Sequence, residues 1–207
     1  MTLKDILTDF QKCISSSKAA ISNAHVSDSS GRYIFDKQSR HFITESAFLN
    51  LFKGWELFLE NTFISYMMGK LSMSSHKFTC YAKPLNRQHA YRIITGNQKY
   101  FDWSTPESVR KLSNNFFNNG DPYDLRISSI HQDIQDMKTV RNSTAHNTQS
   151  TGTPLDALAS RKLLKSVSNI RAAEFLLSLD PISTTNNTFY LSYSEILEIT
   201  ADNIAHA

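Results

Sequence analysis

Apolar residues recur at intervals of three and four along most of the chain, which is the period of an amphipathic helix. The pattern predicts a first helix over about residues 2–26, ended by the turn residues at 27–32. A second, longer helix is predicted from about Lys37 to Leu71. Its apolar stripe is broad and aromatic, which favours a position at the centre of the domain. The stripe consists of Phe48, Leu51, Phe52, Trp55, Phe58, Leu59, Phe63 and Met67.

The periodicity becomes irregular between residues 72 and 122. Lys83-Pro84, Thr95-Gly96-Asn97 and an Asn-rich run that ends at Gly120 separate short pieces that suit helices of a few turns. We interpret 72–122 as a helical insertion between the second and third main helices.

Two further main helices are predicted after the insertion. The third begins near Pro122, with Asp121 as its cap, and stops within 149–152. The fourth begins at Thr153-Pro154, with Asp156 in its first turn, and continues to Asp180-Pro181.

After Pro181, the sequence pattern predicts a short strand at 188–193 and a closing amphipathic helix at about 194–204. The expected fold class is all-α, a four/five-helix bundle that forms one domain over 1–207.

Composition excludes several classes of protein. The chain is 40% hydrophobic, which suits one domain with a real core, and its net charge of +3 does not by itself indicate a nucleic-acid binder. Cys13 and Cys80 match no metal or redox spacing and fit a reducing compartment. No signal-peptide run and no apolar stretch near the roughly 20 residues of a membrane span are present. We therefore expect a soluble, cytoplasmic protein with no membrane contact, no metal site and no cofactor.

The sequence RNSTAH at 141–146 ends the predicted third helix and carries the candidate chemistry. The simplest interpretation is that its cationic groups favour the negative end of the helix dipole. However, Asn142 and His146 are four residues apart and share a helix face, and the long side chain of Arg141 can reach across a turn. Histidine can carry a proton at neutral pH, and arginine holds phosphate oxygens. Together they suffice for cleaving RNA through its own 2′-hydroxyl.

Arg141, Asn142 and His146 form an R-N-x-x-x-H pattern that resembles the signature of the HEPN superfamily. The Trp55-Glu56 helix, the Phe101-Asp102-Trp103 element and the Asp121-Pro122 break resemble its ribonuclease-L-like branch, found in bacterial conflict systems. The resemblance spans roughly residues 36–180.

This resemblance implies an all-α bundle that forms a homodimer, with two motifs meeting in one composite cleft. It also implies a metal-independent endoribonuclease in a bacterial defence or toxin–antitoxin setting. His146 would be the general base or acid, Arg141 the phosphate clamp, and Asn142 the residue that orients His146 or the phosphate. The expected partners are an RNA substrate, a second copy of the chain, and an antitoxin or defence-system protein.

The insertion supplies a candidate RNA-binding set, in which cationic side chains would hold phosphates and aromatic rings would stack on bases. The alternative is a small satellite core with a basic rim. The set consists of Lys83, Arg87, Tyr91, Arg92 and Trp103.

Two acidic positions are candidates for supporting roles. Asp136, five residues before Arg141, would orient that arginine, or would simply be a surface charge. Glu56, like Glu60 one turn later, would place an acid near the motif, or would simply face solvent. Two functional alternatives remain open at this point: a non-catalytic RNA- or partner-binding HEPN module, and a plain helical interaction domain.

Overall fold

The computed structural model describes residues 1–146 and 148–207. Within these ranges the chain is all-α, with nine α-helices, a 3₁₀ turn at Asn118–Gly120 and no extended strand. The predicted all-α fold class is confirmed. The helices are α1 (Leu3–Ala24), α2 (Lys37–Met67), α3 (Arg87–Thr95), α4 (Pro106–Phe116), α5 (Asp124–Ser129), α6 (His131–Ala145), α7 (Gln149–Leu163), α8 (Ala172–Leu177) and α9 (Phe189–Ala205). None of the helices in the described ranges is long and apolar enough to cross a lipid bilayer.

The chain divides into two compact units. The first unit comprises 1–11, 55–135 and 197–207, and the second comprises 12–54 and 136–196. Helices α1, α2, α6 and α9 contribute residues to both units.

The core of the first unit is an aromatic cluster centred on Phe63 of α2. Its ring lies 5.0 Å from Phe117, 5.1 Å from Tyr123 and 5.5 Å from Trp103, measured between centroids. The buried Tyr123 hydroxyl donates a hydrogen bond to Thr62 Oγ1 at 3.1 Å. Residues 101–123 therefore share a core with α2, because burying several aromatic rings together removes a large apolar area from water.

The second unit has its own apolar core. Phe175 of α8 stacks on Phe189 of α9 with ring centroids 4.5 Å apart, and both side chains are buried. Val140 of α6 and Leu155 of α7 are fully buried in the same unit. The apolar residues of α6 and α7 thus hold in place the helix ends that carry the motif.

The third helix begins close to its predicted start near Pro122, but the predicted cap, Asp121, is wrong. Helix α5 begins at Asp124, and its preceding residue, Tyr123, provides no side-chain cap. Asp121 instead lies 4.0 Å from the guanidinium of Arg126. The chain then leaves helical geometry at Ile130 before α6 begins, so one predicted helix is two.

The fourth helix begins earlier than predicted and is also divided. Thr148 precedes α7 in extended conformation, and residues 149–152, predicted to be a loop, form its first turn. Thr153 and Pro154 lie inside the helix. Helix α7 ends where Leu164 adopts left-handed geometry (φ 56°), and α8 follows only at Ala172.

The predicted strand at 188–193 is wrong as well. Residues 189–193 form the first turns of α9, and Thr188 Oγ1 accepts the N–H of Leu191 at 3.4 Å. The aromatic residues Phe189 and Tyr193 are four apart, so helical geometry buries both on one face.

Candidate functional site

The RNSTAH motif occupies the last turn of α6 and the residue that follows it. The half-buried Arg141 donates from Nη1 to the side-chain oxygen of Asn142 at 3.1 Å. This bond holds the guanidinium beside the amide on the same end of the helix. Two of the three predicted catalytic residues are therefore in direct contact.

His146 is exposed and lies just after the helix. Its N–H donates to the carbonyl of Asn142 at 3.0 Å, which continues the helical bonding pattern by one residue. Its own carbonyl accepts the N–H of Thr148 at 2.6 Å and the hydroxyl of Thr151. The backbone of His146 is thus fixed by both helices while its imidazole faces solvent, where it can meet a substrate.

Asp136 makes a different contact from the predicted one. It is buried, so the surface-charge alternative is wrong. Its carboxylate lies 2.6 Å from Arg161 Nη2 and 3.1 Å from Lys162 Nζ. These contacts tie α6 to the basic last turn of α7, and it is Asn142 that accepts from Arg141.

A polar cleft of about 540 Å³ adjoins the motif within the second unit. Ser143 and Thr144, the middle residues of the motif, line it together with the start of α7. The other lining residues come from α2, from the N-terminal part of α7 with Thr148 before it, and from the segment that leads into α8. They are Glu45, Thr148, Gln149, Gly152, Thr153, Asp156, Asn169, Ile170, Arg171 and Ala172.

One wall of the cleft is held by Asp156 of α7. Its two carboxylate oxygens accept the N–H groups of Asn169 and Ile170 at 2.9 and 3.0 Å. A second contact holds the same loop, because Ser160 Oγ accepts the N–H of Val167 at 2.9 Å. The loop between α7 and α8 is therefore fastened to α7 by side-chain bonds in place of helical ones.

Glu45 and Arg171 form an ion pair in the lining of the cleft. Arg171 Nε lies 3.9 Å from Glu45 Oε1, and the same oxygen accepts the N–H of Ala173 at 3.3 Å. The side chain of Glu45 is 18% exposed and that of Arg171 is 50% exposed. A carboxylate and a guanidinium that are both accessible from one cleft can bind a ligand with adjacent donors and acceptors.

His41 precedes Glu45 by one turn of α2 and is buried. Burial lowers the pKa of its imidazole below the usual 6.5, against the raising effect of Glu174 and Glu45. The pKa of Glu174 is itself lowered, chiefly by the hydrogen bond from Lys37 Nζ at 2.8 Å. His41 is thus neutral and Glu174 is charged at neutral pH.

Four of the five predicted RNA-binding residues are accessible in the first unit. Lys83, Arg87 and Arg92 are exposed and Tyr91 is half-buried. Arg87 Nη2 donates to the side-chain oxygen of Asn61. These four side chains are therefore accessible to solvent.

The prediction that Trp103, the fifth residue of the set, binds RNA is wrong. Its side chain is only 6% exposed, and its ring packs against Phe63 and Phe101. Its Nε1–H donates to Glu60 Oε2 at 3.1 Å. The ring therefore belongs to the core of the first unit and cannot stack on a base.

The two acidic residues of α2 that were predicted to support the motif lie in the first unit. Glu60 holds the indole of Trp103, so the prediction that it simply faces solvent is wrong. Glu56 is half-buried. On α2, the carboxylate that lines the cleft is Glu45, and the sequence did not reveal it because no motif surrounds it.

The residues that the structure describes contain no cluster of three or more His, Cys, Asp or Glu side chains that could hold a metal ion.

Comparison with known proteins finds no relative: no family model, no curated protein and no solved structure matches this chain.

Proposed function

We propose that this protein is an endoribonuclease that cleaves RNA through the RNA's own 2′-hydroxyl, using Arg141, Asn142 and His146. The observation that carries the proposal is the geometry of the α6 end: a guanidinium held by Asn142 and an exposed imidazole on a fixed backbone, next to a polar cleft. The resemblance of RNSTAH to the HEPN signature supports the same reaction and a role in bacterial defence or a toxin–antitoxin pair.

The proposed reaction needs one base, one acid and one stabiliser of negative charge. An imidazole removes the 2′ proton, and the 2′ oxygen attacks the adjacent phosphorus. Arg141 stabilises the charge on the phosphoryl oxygens as the P–O5′ bond breaks. An imidazolium then gives a proton to the leaving 5′ oxygen. The products are a 2′,3′-cyclic phosphate and a 5′-hydroxyl.

A single chain supplies one such histidine, His146, in this motif. We infer that a second copy of the chain supplies the other, so that the two motifs of a homodimer form one composite site. One His146 acts as the base while its counterpart acts as the acid. The exposure of the imidazole supports this arrangement, because a partner and a substrate can both reach it.

The test is a labelled single-stranded RNA incubated with the wild type, His146→Ala and Arg141→Ala. Each variant should lose about 10²–10⁴-fold in cleavage rate, which is typical of losing an acid–base group or an electrostatic stabiliser. His206→Ala is the matched control, because His206 is also an exposed histidine at a helix end and should leave the rate unchanged.

Two further arms separate this chemistry from its alternatives. Replacing the 2′-hydroxyl at the cut site by hydrogen or methoxy should abolish cleavage and leave most of the binding. EDTA should leave the rate unchanged. If cleavage stops with EDTA, or survives the 2′ replacement, Arg141 and His146 do not have these roles. If RNA binds and is never cut, the non-catalytic RNA-binding module replaces the nuclease.

A further inference from the structure

The cleft beside α6 is polar, yet it offers a ligand few charges. Among the described residues that line it, the charged ones are Glu45, Asp156 and Arg171. Asp156 already accepts two backbone N–H groups. A phosphate site gathers cations and charge-assisted donors, whereas an unstacked base is recognised by neutral and mixed donors and acceptors along its edges. The lining therefore suits a nucleobase better than a phosphate.

The pair of Glu45 and Arg171 distinguishes between the bases. An arginine donates, and a carboxylate offers about four acceptor positions, one of which receives the Ala173 N–H at 3.3 Å. The cleft thus presents a donor next to acceptors, with Nε and Oε1 of the two residues 3.9 Å apart. The Watson–Crick edge of guanine is complementary, because its O6 accepts while N1–H and the N2 amino group donate. Adenine, cytosine and uracil do not present that order.

The size and the apolar wall of the cleft also suit a base. Its volume of about 540 Å³ falls within the roughly 300–1,000 Å³ that small-molecule sites occupy. Ile170 and Ala172 supply an aliphatic surface for the base face. Ser143 and Thr144 line the cleft from within the motif itself, and they are sequence neighbours of Asn142 and His146.

We propose that this cleft binds a guanine base of the RNA strand, beside the phosphate that is cut. Glu45 accepts from N1–H and N2–H, and Arg171 donates to O6. The position of the cut rests on the proposed function, whereas the binding of guanine does not require cleavage.

The first measurement is calorimetric titration of full-length His146→Ala with the four ribonucleoside 3′-monophosphates and with inorganic phosphate. The 3′-GMP should bind at least tenfold more tightly than the other three, within the range that one bidentate contact contributes to discrimination between bases. Phosphate alone should bind too weakly to measure. Equal affinity for all four nucleotides would overturn the proposal, since it would indicate a phosphate site only.

The second measurement repeats the titration with Glu45→Gln and with Arg171→Gln. Glu45→Gln keeps an oxygen for the Ala173 N–H but replaces one acceptor by a donor, so the preference for 3′-GMP should fall by tenfold or more. Arg171 is half exposed, so its replacement should leave the fold intact and weaken 3′-GMP binding. Glu195→Gln is the matched control, because Glu195 is an exposed glutamate on α9 outside the cleft. A 3′-GMP preference that survives both cleft substitutions would overturn the proposal.

Mapping the cut sites of the wild type then distinguishes the two proposals. Cuts beside guanine in the wild type that spread to other bases in Glu45→Gln agree with both. Cleavage through the 2′-hydroxyl without any base preference removes the guanine site and leaves the nuclease. Tight 3′-GMP binding by a protein that never cuts RNA removes the nuclease and leaves the guanine site.

Discussion

The indole of Trp103 is buried against Phe63 and Phe101, and its N–H donates to Glu60. Trp103→Ala should lower the free energy of unfolding by about 3–5 kcal/mol, because it leaves a cavity in an aromatic cluster and an unpaired carboxylate. Urea denaturation followed by circular dichroism measures this change.

Tyr100→Ala is the control for that substitution, since Tyr100 is 70% exposed. Its unfolding free energy should stay within about 0.5 kcal/mol of the wild type. If Trp103→Ala left stability unchanged and weakened RNA binding instead, a stacking role for Trp103 would have to be restored.

His41 makes stability depend on pH, because burial lowers the pKa of its imidazole below 6.5. The unfolded chain therefore binds this proton more readily than the folded chain does, and protonation favours unfolding. The free energy of unfolding should fall as the pH drops from 7.5 through 6.5 towards the lower pKa of the folded state. The neighbouring Glu174 has a pKa lowered from 4.5, so its contribution to stability is lost only at more acidic pH.

Urea denaturation at pH 7.5, 6.5 and 5.5 tests this dependence in the wild type and in His41→Gln, which keeps a polar side chain that does not titrate. The slope of stability against pH should be smaller in His41→Gln. His206→Gln, at an exposed histidine, should keep the slope of the wild type. Equal slopes in all three proteins would show that His41 does not titrate differently in the folded state.

At the scale of elements, the loop between α7 and α8 depends on Asp156, which accepts the N–H groups of Asn169 and Ile170. Asp156→Ala should cost about 1–3 kcal/mol, the usual effect of losing a charged acceptor, here from the N–H groups of the exposed Asn169 and the half-buried Ile170. Amide exchange at Asn169 and Ile170 should accelerate more than exchange in α9. Asp9→Ala, at an exposed position of α1, should change neither quantity. Unchanged exchange at both loop amides in Asp156→Ala would contradict this role.

Helices α1 and α2 could be predicted within a few residues, because long runs of apolar residues at helical spacing leave few alternatives. The start of α7 could not be predicted from the sequence. Thr148 and Thr153 both precede helical residues, and Pro154 favoured the later one. The structure uses Thr148 and tolerates Pro154 inside the helix, where its ring removes the N–H that would otherwise bond Ser150. Which of two local signals prevails is decided by tertiary packing.

The candidate site, too, could be predicted from the sequence only in part. Arg141, Asn142 and His146 are contiguous, so one short motif reveals them together with the helix end on which they lie. Glu45 and Arg171 are 126 positions apart in the numbering and meet only because α2 and the segment before α8 pack in one unit. Neither residue has a distinctive sequence context, and no pattern in a single chain could have paired them.

At the scale of the whole molecule, a composite site requires two chains. The protein should be a dimer of about 47 kDa in solution, twice the 23.5 kDa of one chain. Light scattering coupled to size exclusion at micromolar concentration measures this mass. A monomer that still cuts RNA would show that one motif suffices, and the role of a second His146 would then be withdrawn.

An unregulated ribonuclease harms the cell that makes it. Expression of the wild type in a bacterial host should slow growth, and His146→Ala should be tolerated at equal protein levels. The His206→Ala control should remain as toxic as the wild type. Equal toxicity of wild type and His146→Ala would assign the harm to another property of the protein.

Ser143 and Thr144 occupy positions that the R-N-x-x-x-H pattern leaves open, and they line the cleft. Because successive residues of a helix point in different directions, Arg141 and Asn142 can serve the reaction while Ser143 and Thr144 face a bound base. Under both proposals, the residues of the reaction and two residues of the base-binding cleft then belong to one six-residue motif. Substitutions at 143 and 144 would change the wall of that cleft while Arg141, Asn142 and His146 stay in place.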